Sequence, residues 1–395
     1  MSTHIGIGFS QNIDMHSAAR DAAFEAKTNL RQDHIDLAIV FSSIHYDPHE
    51  ILPVVRQVLN SQRLIGSSTA GIIRDTSVAV RGIGVLTISS TDIQFGIAST
   101  QDRQTNNPVE LGAELANDVI KDHGQSARQA FLFFMDDKLR WTSELLRGLQ
   151  GIFGNIFPIV GAGSSDDFHF GNTYQFYQDE IFYQSVTGVL MGGQMSVGVA
   201  GRHGWRPLGK PRIIDEAEYN VIKTIDGQKA SSLYDEYFGE YAQDLRSDKL
   251  GRMAILYPLG VYVEGSNEYL LRNTVDILSD GSIVCQGDVP VGSEVHIMIG
   301  NKDSCQTAAH EAAMEAQKNL LGKPARLVIV IECLSRLKLL GRGAYRELQQ
   351  VREVFGENVP MFGMYSNGEV CPFQTTERFK KPHHQNESIV ILAIA

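Results

Sequence analysis

Three apolar runs end in a glycine followed three residues later by a hydroxyl residue: Gly66 to Thr69 in LIGSST, Gly161 to Ser164 in IVGAGS, and Gly363 to Ser366 in FGMYS. Each loop would place backbone N–H groups and a hydroxyl at the C-terminal end of a buried strand, where open α/β sheets bind ligands. Gly66 and Gly163 permit close backbone approach, and Ser68, Thr69, Ser164 and Ser366 can each donate or accept a hydrogen bond. The same residues suit a tight turn whose hydroxyls satisfy their own backbone, and the sequence leaves both readings open. Next to Ser164, Asp166 and Asp167 present adjacent carboxylates, suited to an amine or a cation or else to a solvated turn.

Nucleophilic chemistry is weakly supported. A serine needs a base within hydrogen-bond reach, as in a serine and lysine amidohydrolase site. No GxSxG elbow occurs, and Lys27, Lys121 and Lys318 fall near helix C-termini, where a cation complements the helix dipole on a solvated face. The expectation is therefore a binding protein without catalytic residues. Metal chemistry fares no better: His45 and His49 have i, i+4 spacing, but Pro48 puts His45 ahead of the helix. His383 and His384 lie in a loop with Lys and Pro and are expected at the surface. Any one of the 12 histidines could be a haem ligand, and the sequence does not select which.

The elements that would position these residues recur in one order. Helical periodicity covers Ser17 to Leu30, an apolar run follows at Ile35 to Phe41, and a second helix is entered near Pro53. A strand at Leu64 and Ile65 leads into the GSSTAG loop, then β-like runs cover Gly82 to Ser89 and Ile93 to Ala98. The order repeats from Pro108, through QAFLFFMDD, a helix from Thr142 to Phe153, the strand Pro158 to Gly163 and strands through Tyr174 to Val199. It repeats again from Ser304, ending in the strand Ser388 to Ala395. AAFEAKTNL at Ala22 to Leu30 resembles AAMEAQKNL at Ala312 to Leu320. The expected fold class is α/β, with an αβαβ unit of roughly ninety residues used three times and β-hairpins added. Between Gly204 and Asp303 short strands with turn signals at Asp226, Asn267 and Asp280 mark a β-rich insert.

The 395-residue chain carries a formal charge of −11, which would repel a phosphate backbone, so nucleic acid is excluded as a partner. No stretch reaches the length of a spanning helix, so no membrane insertion is expected. The four cysteines, Cys285, Cys305, Cys333 and Cys371, form no CxxC pair, which fits a reducing cytoplasm.

ECLSR (Glu332 to Arg336), Gly341, Glu347, PMFGMYSNGEVCP (Pro360 to Pro372) and NES (Asn386 to Ser388) together resemble the FIST C-terminal domain. Its pattern matches at Cys333, Arg336, Gly363, Tyr365, Ser366, Gly368 and Glu369, with Met364 departing from the usual aromatic. LIGSSTAGI, GWRPLG, YPLG, Arg272 and VPVG extend the resemblance over nearly the whole chain. It implies a FIST N-like domain at 1–203, a junction at 204–228 and a FIST C-like domain at 229–395. It also implies an intracellular sensory protein that binds a small ligand, such as an amino acid or related metabolite, and signals through a partner such as a histidine kinase or cyclase. Some family members resemble haem-dependent nitric oxide sensors, which keeps haem open as a cofactor and a two-component partner as the output. Arg336 offers a planar fork for a carboxylate and Glu369 a counter-charge for an amine, unless the two pair with each other.

Overall fold

The computed structural model describes residues 3–101, 107–137, 139, 141–167, 172–239, 256–263, 268–372 and 381–395. Each of three units runs strand, helix, strand, helix, strand, hairpin, strand. The first comprises Thr3–Ser10, α1 (Met15–Leu30), Leu37–Ser43, α2 (Pro48–Leu59), Leu64–Thr69, a hairpin of Gly71–Arg74 and Ser77–Ala79, and Ile83–Ser90. The second comprises Ile93–Gln101, α3 (Pro108–His123), Arg128–Met135, α4 (Thr142–Phe153), Ile159–Gly163, the hairpin Gln175–Tyr177 and Glu180–Phe182, and Ser185–Gly193. In the third, Val197–Arg202 is separated from the rest by a β-rich segment that includes the short helix α5 (Ser232–Phe238). Then follow α6 (Lys302–Asn319), Leu327–Cys333, α7 (Leu334–Leu340), α8 (Tyr345–Phe355), Met361–Ser366, the hairpin Glu369–Pro372 and Pro382–Gln385, and Ile389–Ile394.

Two boundaries differ from the sequence reading. A unit opens with a strand rather than a helix, and Ile93–Gln101 and Val197–Arg202 belong to the unit that follows them. Each pairs antiparallel with the last strand of its own unit, Ile93–Gln101 with Ser185–Gly193 and Val197–Arg202 with Ile389–Ile394. Of the three opening strands only Thr3–Ser10 is absent from the sequence reading, because Gly6 and Gly8 interrupt its apolar pattern. A Cβ on Gly8 would lie 2.0 Å from Ala22 O, and one on Gly198 would lie 1.9 Å from Ala316 O. The helix backbone rests directly on the strand, so the strand needs glycine and the helix needs alanine. This explains the matched nonapeptides: Ala22, Ala23 and Ala26 of α1 and Ala312, Ala313 and Ala316 of α6 are all wholly buried.

The hairpins are exchanged around a pseudo-threefold axis. That of the first unit joins the third sheet through Gly71–Arg74 beside Met361–Ser366, that of the second joins the first sheet, and that of the third joins the second sheet. The inner faces of all three sheets share one core, in which Phe41 stacks on Phe362 at 5.1 Å and meets Phe134 edge-on at 5.3 Å. Helices cover the outer faces. This arrangement leaves each six-stranded sheet dependent on another unit, so no unit buries its own hairpin alone.

Candidate ligand-binding cleft between the second and third units

The three glycine and hydroxyl loops occupy equivalent places. Gly66, Gly161 and Gly363 pair in parallel register with Val40, Phe133 and Val330, which puts Thr69, Ser164 and Ser366 at matching strand ends. The same hydrogen bonds recur around the axis: Ala70 N–H to Tyr365 O at 3.3 Å, Ser165 N–H to Ser68 O at 3.2 Å, and Asn367 N–H to Gly163 O at 2.9 Å. Each loop is thus held by the next unit. The three hydroxyls are fully buried and engaged. Thr69 donates toward Gly71 O (2.7 Å) and Tyr365 O (2.8 Å), Ser164 lies 2.8 Å from the Gln175 amide, and Ser366 donates to Glu369 at 2.6 Å. Ser68 is likewise buried, receiving the Tyr174 N–H on its hydroxyl at 3.3 Å.

Behind the third loop, Arg336 is wholly buried over the Trp205 ring, 5.6 Å from its centroid. It pairs with Glu347 and donates to the carbonyls of His203 (2.6 Å), Cys305 (3.0 Å) and Glu387 (3.0 Å). The expected partnership with Glu369 is not the one formed. Glu369 instead accepts from Ser366 and from the Ser388 hydroxyl at 2.8 Å. Tyr365 turns its hydroxyl toward Glu332 without closing a well-formed hydrogen bond. Burial raises Glu369 to about 7 and Glu387 to about 8.

A cleft of about 350 Å³ opens beside this network, within the size range of small-molecule sites. Its walls come from three sources: Met135, Asp137 and Thr142 of the second unit; Asn220, Val275, Val284 and Gln286 of the β-rich segment; and Asn367 and His384 of the third unit. Asp137 follows the strand Arg128–Met135, at the carboxyl end of a parallel pair. Its carboxylate accepts from Asn367 Nδ2 and Thr173 Oγ1, both at 3.0 Å. Burial, with Asp136 and Asp166 adding like charge, pushes it up to about 6 despite the Asn367 bond. His384 is buried, with no hydrogen-bond partner on either ring nitrogen among the described residues. Burial, reinforced by the nearby Arg272 charge, brings it down to about 3, so the ring is neutral and offers one donor and one acceptor. Gly368, at φ +93°, keeps the space beside this ring: a Cβ there would sit 2.7 Å from His384 Nε2.

The expected surface position of His383 and His384 is corrected: their strand pairs with Glu369–Pro372, which leaves His384 buried and His383 half-buried. His45 and His49 point to separate partners, Ser43 and Tyr183, and do not form a metal pair. Lys27 donates to Val58 O at 2.9 Å, and Asp167 pairs with Lys338 at 2.5 Å. The cleft wall contains none of the loop residues singled out from the sequence; Gly66, Ser68, Thr69, Gly163, Ser164, Asp166, Arg336, Tyr365, Ser366 and Glu369 lie outside it. The signal for Asp137 was the DD pair at the end of QAFLFFM, and for Asn367 the NG turn before Glu369. Nothing in the sequence marked His384 as buried.

The FIST N domain description matches residues 36–228 and the FIST C domain description residues 230–372. The chain belongs to the FIST family. An uncharacterized protein of Mycobacterium tuberculosis is 22% identical over 93% of this FIST chain and 94% of its own length. Another of Methanocaldococcus jannaschii is 21% identical over 76% of this chain and 60% of that one. Among solved structures, the cyanuric acid hydrolase from A. caulinodans aligns over 100% of this chain and 99% of its own, with 7% identity and a TM-score of 0.40. No helix among the described residues is long and apolar enough to cross a membrane.

Proposed function

We propose that this FIST protein is a sensory module that binds a small polar metabolite, of amino-acid size, in the cleft between Asp137 and His384 and passes its occupancy to a partner protein. The observation that carries this reading is the neutral, buried imidazole of His384, whose two nitrogens have no partner among the described residues, beside a cavity lined by side chains from three parts of the chain. Leaving such groups unsatisfied costs free energy that a ligand would recover.

The cleft also supplies a route to an output. The β-rich segment is tied across it by polar contacts that include Gln286 to Asn367 O at 2.9 Å, Arg272 to His384 O at 3.1 Å, Asn273 N–H to Asn386 Oδ1 at 3.2 Å, and Ser143 to Asp288. A ligand that bridges these parts favours one packing of the segment over another, and a partner such as a histidine kinase or cyclase would read the difference. Four buried free thiols accord with a cytoplasmic location. Binding without turnover is part of this reading, and Thr69 accords with it by spending its hydroxyl hydrogen on the carbonyls of Gly71 and Tyr365.

Haem is the less favoured ligand. The cleft stands near the lower limit of ligand pockets, and its walls include Asp137, Asn220, Gln286 and Asn367, a poor match for a large apolar macrocycle. The test is native mass spectrometry and an absorption spectrum of the protein purified from cells. A retained metabolite that Val275→Trp expels supports the reading. A Soret band, or a retained molecule indifferent to Val275→Trp, refutes it.

A further inference from the structure

Resting on the cleft reading above, we propose that the ligand is a small organic cation, an amine or guanidine, held by Asp137 and by the acceptors around it. A carboxylate has about four acceptor sites. Asp137 uses one for Asn367 and one for Thr173, leaving two. Both donor hydrogens of Gln286 are directed at Asn367, to its backbone oxygen at 2.9 Å and its side-chain oxygen at 3.1 Å. One hydrogen of Asn367 goes to Asp137, and Asn220 donates to Cys285 O at 2.7 Å. Among the described residues the unspent capacity comprises two acceptor sites on Asp137, one acceptor and one donor on His384, and the second amide hydrogens of Asn367 and Asn220. The two open sites on the carboxylate are the ones that carry charge, and a cationic donor completes them where an anion does not.

Charge points the same way. The carboxylates of Asp136 and Asp166 bear on Asp137 from its own strand end and from the loop after Ile159–Gly163, while Thr173 and Asn367 facing it are neutral. The buried guanidinium nearest the cleft, Arg272, is spent on the carbonyls of Asp288, Leu271 and His384. Among the described residues no basic side chain pairs with Asp137. A zwitterionic amino acid would bring its carboxylate toward Asp137, the one carboxylate in the described lining, so the amine that lacks the carboxylate is the better fit.

Isothermal titration with putrescine, agmatine, arginine and glutarate decides it. Putrescine or agmatine should bind saturably, agmatine at least tenfold more tightly than arginine, and glutarate not at all. Affinity should fall as pH drops through about 6, because protonating Asp137 removes the charge the cation needs. Asp137→Asn, nearly isosteric and still able to accept from Thr173, should weaken binding at least tenfold with an unchanged circular dichroism spectrum. If that variant does not fold, the charge series and the pH dependence on the unmodified chain decide alone. Tighter binding of glutarate, binding indifferent to Asp137→Asn, or no binding of either cation overturns the proposal. Should a metabolite expelled by Val275→Trp be found while the cations fail, the cation class falls and the cleft stands; should neither appear, both fall.

Discussion

Replacing Arg336 by alanine removes the single guanidinium that serves Glu347 and the carbonyls of His203, Cys305 and Glu387. Breaking a buried pair from one side typically costs about 3–5 kcal/mol. A ceiling on the charge part follows from protonation. The orphaned Glu347 can take up a proton, and from its ordinary value of 4.5 this costs about 1.4 kcal/mol per pH unit, or about 3.4 kcal/mol at pH 7 and about 0.7 at pH 5. The lost packing over Trp205 and the carbonyls left without a donor add to this at any pH. If the 395-residue chain unfolds as one unit, an entropy of about 2.1 cal/mol/K per residue turns 4 kcal/mol into a Tm loss of about 5 °C. Differential scanning calorimetry of Arg336→Ala against the parent should therefore show a deficit near pH 7 that shrinks toward pH 5. The sign follows because a carboxyl raised in the folded state weakens the fold above its unfolded value and ceases to do so below it. A Tm loss under 2 °C that does not vary with pH, together with weakened amine binding, would refute the structural role and return Arg336 to the ligand site.

Two further outcomes follow from the packing and the buried acids. Gly363→Ala would place a Cβ 1.9 Å from Val330 O, so the variant should be recovered mainly in inclusion bodies or melt well below the parent, and a normal melting curve would contradict the close approach of these strands. Glu387, raised to about 8, and Glu369, raised to about 7, bind protons on folding between the ordinary carboxyl range and those values. Stability should thus fall as pH rises from about 5 to about 8. Glu387→Gln should flatten that slope in equilibrium urea titrations, and an unaltered slope would show that Glu387 is not the group responsible.

Much of the fold was legible because its signals are local. The apolar runs Leu37–Ser43, Arg128–Met135 and Leu327–Cys333 are too continuous to be surface strands, and the alanine-rich nonapeptides betray two helices under the same packing constraint. The recurring glycine and hydroxyl offsets gave the loops their equivalence before any coordinate did. The first opening strand, Thr3–Ser10, was hidden for the opposite reason: Gly6 and Gly8 answer to a helix pressed against them, which no window along the chain reveals.

The residue types at the loop ends were written in the sequence, as was the family that the loops resemble. Only tertiary structure decided what those residues do. Arg336 might have faced a ligand, but its guanidinium reaches Glu347 and three carbonyls brought from distant segments, at 203, 305 and 387. The cleft likewise joins Asp137, Gln286 and His384 from segments far apart in the chain, because a hairpin of the third unit completes the sheet of the second. Sequence spacing carries local periodicity, whereas burial and charge compensation are set by which distant segments end up touching. His384 becomes a buried, neutral imidazole only when that exchange has placed it against the β-rich segment.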